Sequence, residues 1–340
     1  MQLETDESDI LVEDLARATP RRPNEEARAN GARGARRAAE PVAVSDAERA
    51  AITERVRQQY MAHPFPPPQR RHSYRAHARY LRGFLGEVGL DPIGRRFADV
   101  ACGSGLMLLD HALEMPQTTF VGYDLSPASV ARANASFAEE GATNARAVVA
   151  DMLELDVPET FDCVTCWGAV HHLADARAGV RTLGRLLRPG GVLRLGVYGY
   201  FGNWDRHLQQ EVLATLAGNS DVTEQIAITR ERARTDPTFQ TVKTAPPVDL
   251  SDDAWVVDEF LHVWERPITL RQAVTWLEDA ALDVVRVTDY DNTEIALDPA
   301  LYLHSESLAA RARRLPFADR CHLVDLLVRP YWLALLAVKR

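Results

Sequence analysis

The stretch FADVACGSGLML, residues 97–108, limits the fold more than any other part of the chain. An apolar strand runs into a turn holding Gly103 and Gly105, and a helix-forming run follows at once. A strand that enters a glycine turn and leaves as a helix opens an α/β unit, and turns of this kind hold nucleotides at the carboxyl edge of the sheet. The rhythm continues downstream. Strands are expected over residues 96–101, 119–124, 145–150, 161–167 and 192–198, with helices near 105–115, 126–140 and 174–187. Ser126-Pro127 supplies an N-cap and an N1 proline, and Gly141 a C-terminal stop. Short links between alternating strands and helices imply a parallel sheet covered on both faces.

The flanks read differently. Residues 1–44 form an expected disordered arm: the first fourteen carry six acids and no base, and RRPNEEARANGARGARRAAE lacks apolar periodicity. Residues 45–94 form an N-terminal helical segment. It opens with a Ser45/Glu48 capping box, places Ile52, Val56 and Tyr60 on one face, and stops at HPFPPP. A second helix follows from about Ser73. Residues 201–268 break the alternation and read as an inserted lid over the sheet's edge. Residues 269–340 complete the core through TLRQAVTWLEDAAL, DVVRVTDYD and LALLAVKR, with a small insertion at 292–329.

Bulk properties exclude some functions. A net charge of −9 gives no general footprint for nucleic acid, and no apolar run of about 18 residues exists to span a membrane. Cys163 and Cys166 are three apart on an expected strand, so they point to opposite faces and cannot share a metal without a bend. With no second pair at zinc spacing, no metal is expected, and reduced cysteines fit a cytoplasmic protein.

The ligand is legible in the acids at the strand ends. A dinucleotide would want a small third glycine-loop position, but Leu108 stands there, and a carboxylate at Asp99 does not help a pyrophosphate. Asp99 suits a positively charged or hydrogen-donating group such as the ammonium of a methionine moiety. Asp124 can accept both ribose hydroxyls, and at Asp151-Met152 the acid takes an adenine amino hydrogen while methionine packs on the ring.

Taken together, FADVACGSG, FVGYDLSP, VVADMLEL, FDCVTCWGAVHHLAD and LLRPGGVLRLGVYG resemble the class I S-adenosylmethionine-dependent methyltransferases, over residues 95–199 in order. VRQQYMAHPFPPP and VVDEFLHVWERPITLRQAVTWLEDAAL are similar to a bacterial subgroup of them. The resemblance implies a Rossmann-like, doubly wound, mostly parallel seven-stranded sheet, with residues 95–200 as the S-adenosylmethionine-binding core. It implies that Asp99, Ala101, Cys102, Gly103, Gly105, Asp124, Leu125, Ser126, Asp151 and Met152 hold the cofactor, and that Trp167, Gly168 and Ala169 line its pocket. Ala101 departs from the family, which most often has glycine there.

Tyr60 and Phe65 are expected to close over the cofactor, and Tyr198, Tyr200, His172 and Trp264 to face the acceptor. Candidate bases are His171, preferred because His172 begins the next helix, and then Glu259 and His262, three apart on a short helix face. An NPPY-type turn, which in related enzymes holds a planar amide or base amine, is absent; WGAVHH stands there. The expected reaction is methyl transfer to an oxygen or nitrogen of a small molecule of specialised metabolism, with no nucleic-acid or membrane partner and with a homodimer left open. The competing readings are a non-catalytic cofactor-binding subunit, which the charged arm keeps in view, and a nicotinamide-dependent oxidoreductase, against which Leu108 speaks.

Overall fold

The structure, a computed structural model, describes residues 44–67, 74–240, 242, 244 and 248–340. The expected arm falls outside the described residues, save Val44. The described elements run α1 (Asp46–Ala62), α2 (Arg75–Glu87), β1 (Arg96–Val100), α3 (Leu106–Glu114), β2 (Thr119–Asp124), α4 (Pro127–Glu139), β3 (Ala145–Val149), β4 (Phe161–Trp167), α5 (Ala176–Leu186) and β5 (Leu187–Tyr198). Beyond them come α6 (Trp204–Ala217), α7 (Val222–Thr235), α8 (Asp253–Phe260), α9 (Leu270–Asp279), β6 (Leu282–Thr288), α10 (Glu306–Arg313), α11 (Phe317–Val328) and β7 (Trp332–Lys339).

The strands form one seven-stranded sheet in the order β3-β2-β1-β4-β5-β7-β6. β1 to β5 pair in parallel, while β7 runs antiparallel to both β5 and β6. The order reverses next to β1, so the glycine turn after β1 sits at the switch point, where a crevice opens in a doubly wound sheet.

Local chemistry explains the borders. Ser45 and Glu48 close the capping box of α1, with Ser45 N–H donating to Glu48 at 3.0 Å. Ser126 Oγ caps α4 and Pro127 occupies its first turn. β4 is buried along its length, and the sheet divides the core in two: Cys166 packs with Val100, Leu195 and Leu335 on one face, Cys163 with Phe97, Phe120 and Val192 on the other. The cysteine pair therefore faces opposite ways, as a strand requires, and all four cysteines are free and buried. β5 starts earlier than its apolar run suggests, because Leu187 already pairs with Phe161 before an irregularity in the ladder.

Gly105 does a different task from the expected ligand approach. It holds φ 79°, and a Cβ there would stand 2.7 Å from Ala133 Cβ and 2.9 Å from Phe137. The residue lets α3 and α4 close on each other. Gly103, at φ 54°, is the residue that brings the turn against the chain: a Cβ would lie 2.3 Å from the Phe65 carbonyl oxygen.

Candidate active site

The carboxyl edges of β1, β2, β3 and β4 open into one cavity, roofed by α1 with the segment after it and by α8 of the insertion. Three of the carboxylates on its wall stand at strand ends. Asp99 is 3% exposed and its Oδ1 accepts from Thr165 Oγ1 at 2.7 Å. Burial drives its carboxyl up to about 7, Thr165 pulls the other way, and Asp124 pushes it up further. Asp124 ends β2; its Oδ2 accepts from Gly103 N–H at 2.8 Å and its Oδ1 from Ser126 N–H at 2.9 Å. Burial raises this carboxyl too, against those two backbone donors. Asp151 Oδ1 accepts from Leu153 N–H at 2.8 Å and so starts a short turn that turns Met152 toward the cavity.

The donor set fits the expected cofactor. The carboxylates, one per strand end, stand beside Met152, Leu125 and Ala101, an arrangement with acceptors for an ammonium, a diol and an exocyclic amine and an apolar bed for a purine. Ala101 holds φ 60°, a left-handed conformation that costs an L-residue about 1–2 kcal/mol. That strain accounts for glycine being the usual residue at this position, and alanine is the smallest departure from it.

Most of the expected residues meet here. Asp99, Ala101, Cys102, Gly103, Asp124, Leu125, Asp151, Met152, Trp167, Gly168, Ala169, His172, Tyr60, Phe65, Tyr198 and Glu259 all line the cavity. Phe65 lies edge-on to Trp255 of α8, with ring centroids 4.7 Å apart, so the proline-rich turn and the insertion close together. Ser126 does not reach the cavity; its hydroxyl donates to the Tyr60 carbonyl at 3.1 Å, tying α4 to α1.

The residues expected to act as bases or to face an acceptor are placed differently in several cases. His171 is fully enclosed and does not line the cavity; its Nδ1 accepts a long 3.4 Å bond from Tyr198 N–H, and burial holds the ring neutral. His172 does not begin a helix: both histidines lie in a single 3-10 turn, and α5 starts beyond them with Asp175 as its cap. His172 is the histidine that faces the cavity, with burial lowering it to about 4.

Glu259 and His262 do not share a helix face, because α8 ends at Phe260. Glu259 instead accepts from Tyr198 Oη at 2.9 Å and Tyr331 Oη at 2.6 Å, and lies 3.5 Å from the Arg206 guanidinium. His262 Nδ1 accepts from Trp264 N–H at 3.0 Å, and its ring stacks on His172 with centroids 3.7 Å apart. Trp264 does not line the cavity; its indole donates to Leu173 and its carbonyl meets His172 Nδ1 at 3.2 Å, so it orients His172. Tyr200 also stays outside, packed on Phe201.

Sequence reasoning missed Asp258, Tyr74, Trp255, Tyr290 and Trp332, all on the cavity wall. Trp167 and Trp332 lie 5.1 Å apart, Tyr290 is 5.6 Å from Trp332, and Gly196 makes room for the Trp167 ring, since a Cβ there would stand 2.5 Å from it. Asp258 Oδ1 accepts from Tyr60 Oη at 2.9 Å. Among the described residues that line the cavity there is no lysine or arginine.

A glycine turn at a switch point, with acids at successive strand ends, defines a nucleoside-binding α/β domain. Comparison with known proteins narrows the class. Residues 97–191 match the family model described as a methyltransferase domain. The chain is 26% identical over 294 residues to an uncharacterized protein of Synechococcus sp., covering 81% of this chain and 69% of that one. It is 33% identical over 99 residues to a ubiquinone biosynthesis O-methyltransferase of Pseudomonas putida, covering 29% of this chain but 42% of that enzyme. Among solved structures, that of PKMT2 from Rickettsia typhi in complex with AdoHcy superposes with a TM-score of 0.58 at 17% identity, covering 82% of this chain and 56% of that one, a likeness of fold. The chain spans less than two thirds of the length of the last two proteins. Residues 97–191 are thus a methyltransferase domain, and the fold around them is similar to that of S-adenosylmethionine-dependent methyltransferases.

Proposed function

We propose that the protein transfers a methyl group from S-adenosylmethionine to an oxygen or nitrogen of a small-molecule acceptor. The observation that carries this reading is one cavity in which the strand-end carboxylates Asp99, Asp124 and Asp151 share the wall with the rings of Trp167, Tyr290 and Trp332 and with Trp255, Asp258 and Glu259 of α8. The cofactor supplies a methyl group already activated by a sulfonium. The chain's share is to hold the acceptor in line with that methyl group and keep water out, and such positioning supplies about 7–11 kcal/mol of a barrier. In this reading Asp99 receives the ammonium, Asp124 the ribose and Asp151 the adenine, while Tyr60, Phe65 and Trp255 close the site.

The test is calorimetric titration with S-adenosylhomocysteine, with NAD as control. Micromolar binding of the first alone is expected; binding of NAD alone would overturn the reading. No helix among the described residues is long and apolar enough to cross a membrane, and the buried free cysteines accord with a cytoplasmic setting.

Asp99 adds a pH dependence. With its carboxyl raised to about 7, it is protonated at pH 6 in the free protein, and pairing with the ligand's ammonium requires the ionised form. Binding below pH 7 is then coupled to release of a proton. S-adenosylhomocysteine affinity should therefore rise from pH 6 to pH 7, by up to about tenfold, and level off above it. Asp99→Asn should flatten that profile; an unchanged slope in the variant would assign it to another group.

A further inference from the structure

The acceptor chamber has an unusual electrical balance. Its wall is built of rings, Tyr74, Trp167, Tyr290 and Trp332 among them, together with the carboxylates of Asp258 and Glu259. No cationic side chain among the described residues joins them, and His172 is held neutral. Arg206 compensates Glu259 from behind the wall, but no lysine or arginine among the described residues lines the cavity beside Asp258, so a phenol acceptor would form its anion next to an acid, and like charges disfavour that form. A cation is favoured by both components, since ring faces and carboxylates each attract it.

The two acids differ in what they have left to offer. Both Glu259 oxygens are taken by the phenols of Tyr198 and Tyr331, and Arg206 lies alongside. Asp258 has Oδ1 occupied by Tyr60, while Oδ2 has no hydrogen-bond partner among the described residues. Asp258 is 7% exposed, and the little surface it keeps contributes to the cavity wall. The ligand atoms of His172, Asp258 and His262 lie within 4.8 Å of one another, close enough for a metal ion. That arrangement is already closed: Tyr60 Oη lies 2.9 Å from Asp258 and 3.1 Å from His262 Nε2, and His262 Nδ1 is used by Trp264.

We propose that the acceptor is a primary or secondary amine that enters as its ammonium, sits against the aromatic wall, and gives a proton to Asp258 Oδ2 before methylation. The proposal rests on the methyltransferase reading above. The proton leaves nitrogen for the carboxylate, the freed lone pair forms the new nitrogen–carbon bond, and the electron pair of the broken sulfur–carbon bond stays on sulfur. The product is the methylated ammonium, and Asp258 returns its proton to water on release.

The groups facing Asp258 are compatible with this role. They are Tyr60 from α1, Glu259 on α8 itself, His172 from the turn after β4, His262 and Glu265 from the segment after α8, and Arg206 from α6. Burial, Glu259 and Glu265 raise the carboxyl, Tyr60 and Arg206 lower it, and the balance sits at about 8. At about 8 the carboxyl is mostly protonated at pH 7 in the free protein; an arriving ammonium favours its ionised form, as Arg206 does, and the carboxylate so formed accepts the proton.

The test is calorimetry on protein saturated with S-adenosylhomocysteine. The probes are benzylamine, phenethylamine and N-methylphenethylamine, each paired with its alcohol or ether isostere. Each amine that binds is expected to do so at least tenfold more tightly than its isostere, and Asp258→Asn should erase the preference while S-adenosylhomocysteine affinity stays within twofold, which also shows the variant folded. With labelled S-adenosylmethionine, the same variant should lose at least 100-fold in methyl transfer to the best amine. Isosteres that bind as well as their amines, no amine binding to the saturated protein, or a preference that survives in Asp258→Asn would overturn the proposal while leaving the methyltransferase reading intact. Failure of S-adenosylhomocysteine itself to bind would overturn both.

Discussion

Asp124→Ala is expected to weaken S-adenosylhomocysteine binding by about 100-fold or more, close to 2.7 kcal/mol. The carboxylate does two things at once. Its oxygens take the N–H groups of Gly103 and Ser126, at 2.8 and 2.9 Å, which pins the glycine turn to the start of α4. The remaining lone pairs face the cavity, where a ribose would stand. Hydrogen bonds to a charged acceptor are worth about 1.5–3 kcal/mol each, so losing the ligand's bonds alone accounts for the effect. Freeing Gly103 N–H loosens the turn as well and adds to it. Calorimetry measures the first part, and hydrogen exchange at Gly103 and Ser126 the second. Affinity within threefold of wild type would remove Asp124 from the cofactor site.

The row of carboxylates along the carboxyl edge of the sheet was legible because it is local. Each of its acids ends a strand, and a strand end is marked in sequence by where the apolar run stops: Asp124 after TFVGY, Asp151 after ARAVVA. Once the order of strands is known to be that of a doubly wound sheet, these ends come together without further information. Two helix starts were legible for the same reason, since Ser45 and Ser126 each cap a helix by a bond to a residue three positions on; Thr269 caps α9 in the same way, without having been singled out in the sequence.

The part of the cavity wall that α1 and α8 build was not legible, because nothing local encodes it. Tyr60 meets Asp258 across 198 positions, and Tyr198 meets Glu259 across 61. Glu259 and His262 look like a pair on a helix face, but α8 ends between them, so they serve different networks. Asp258, one position before a residue that drew attention, carries the free carboxylate oxygen; a hydrophobicity pattern cannot tell which of two adjacent acids keeps an oxygen unpaired when both are buried, at 7% and 2% exposure. His171 misled in the same way. The HH pair places one ring in the cavity wall and the other behind it, and only the packing of Tyr198 decides which.

Arg206→Met is expected to destabilise the insertion by about 3–5 kcal/mol, although it removes no group that lines the cavity. The Arg206 side chain is fully buried. It bonds Glu265 through two nitrogens, donates to the Glu259 carbonyl at 2.8 Å, and lies over the Tyr198 ring at 4.2 Å. Methionine fills much of the volume, so the loss is electrostatic: Glu265 and Glu259 stay buried with no cation between them. The carboxylates must then either stay charged without compensation or take up protons. The second route makes the variant lose least stability at low pH and most above neutrality, the sign for acids whose folded form binds protons more tightly than the unfolded form. Urea unfolding at pH 5.5 and 8 measures both numbers. Glu265→Gln added to Arg206→Met should restore about half of the loss, because it removes one of the two stranded charges. If the single variant matches wild type at pH 8, the Arg206 network is not what holds α6 to α8, and the roof of the acceptor chamber must be anchored by apolar contacts such as Leu213 with Phe260 instead.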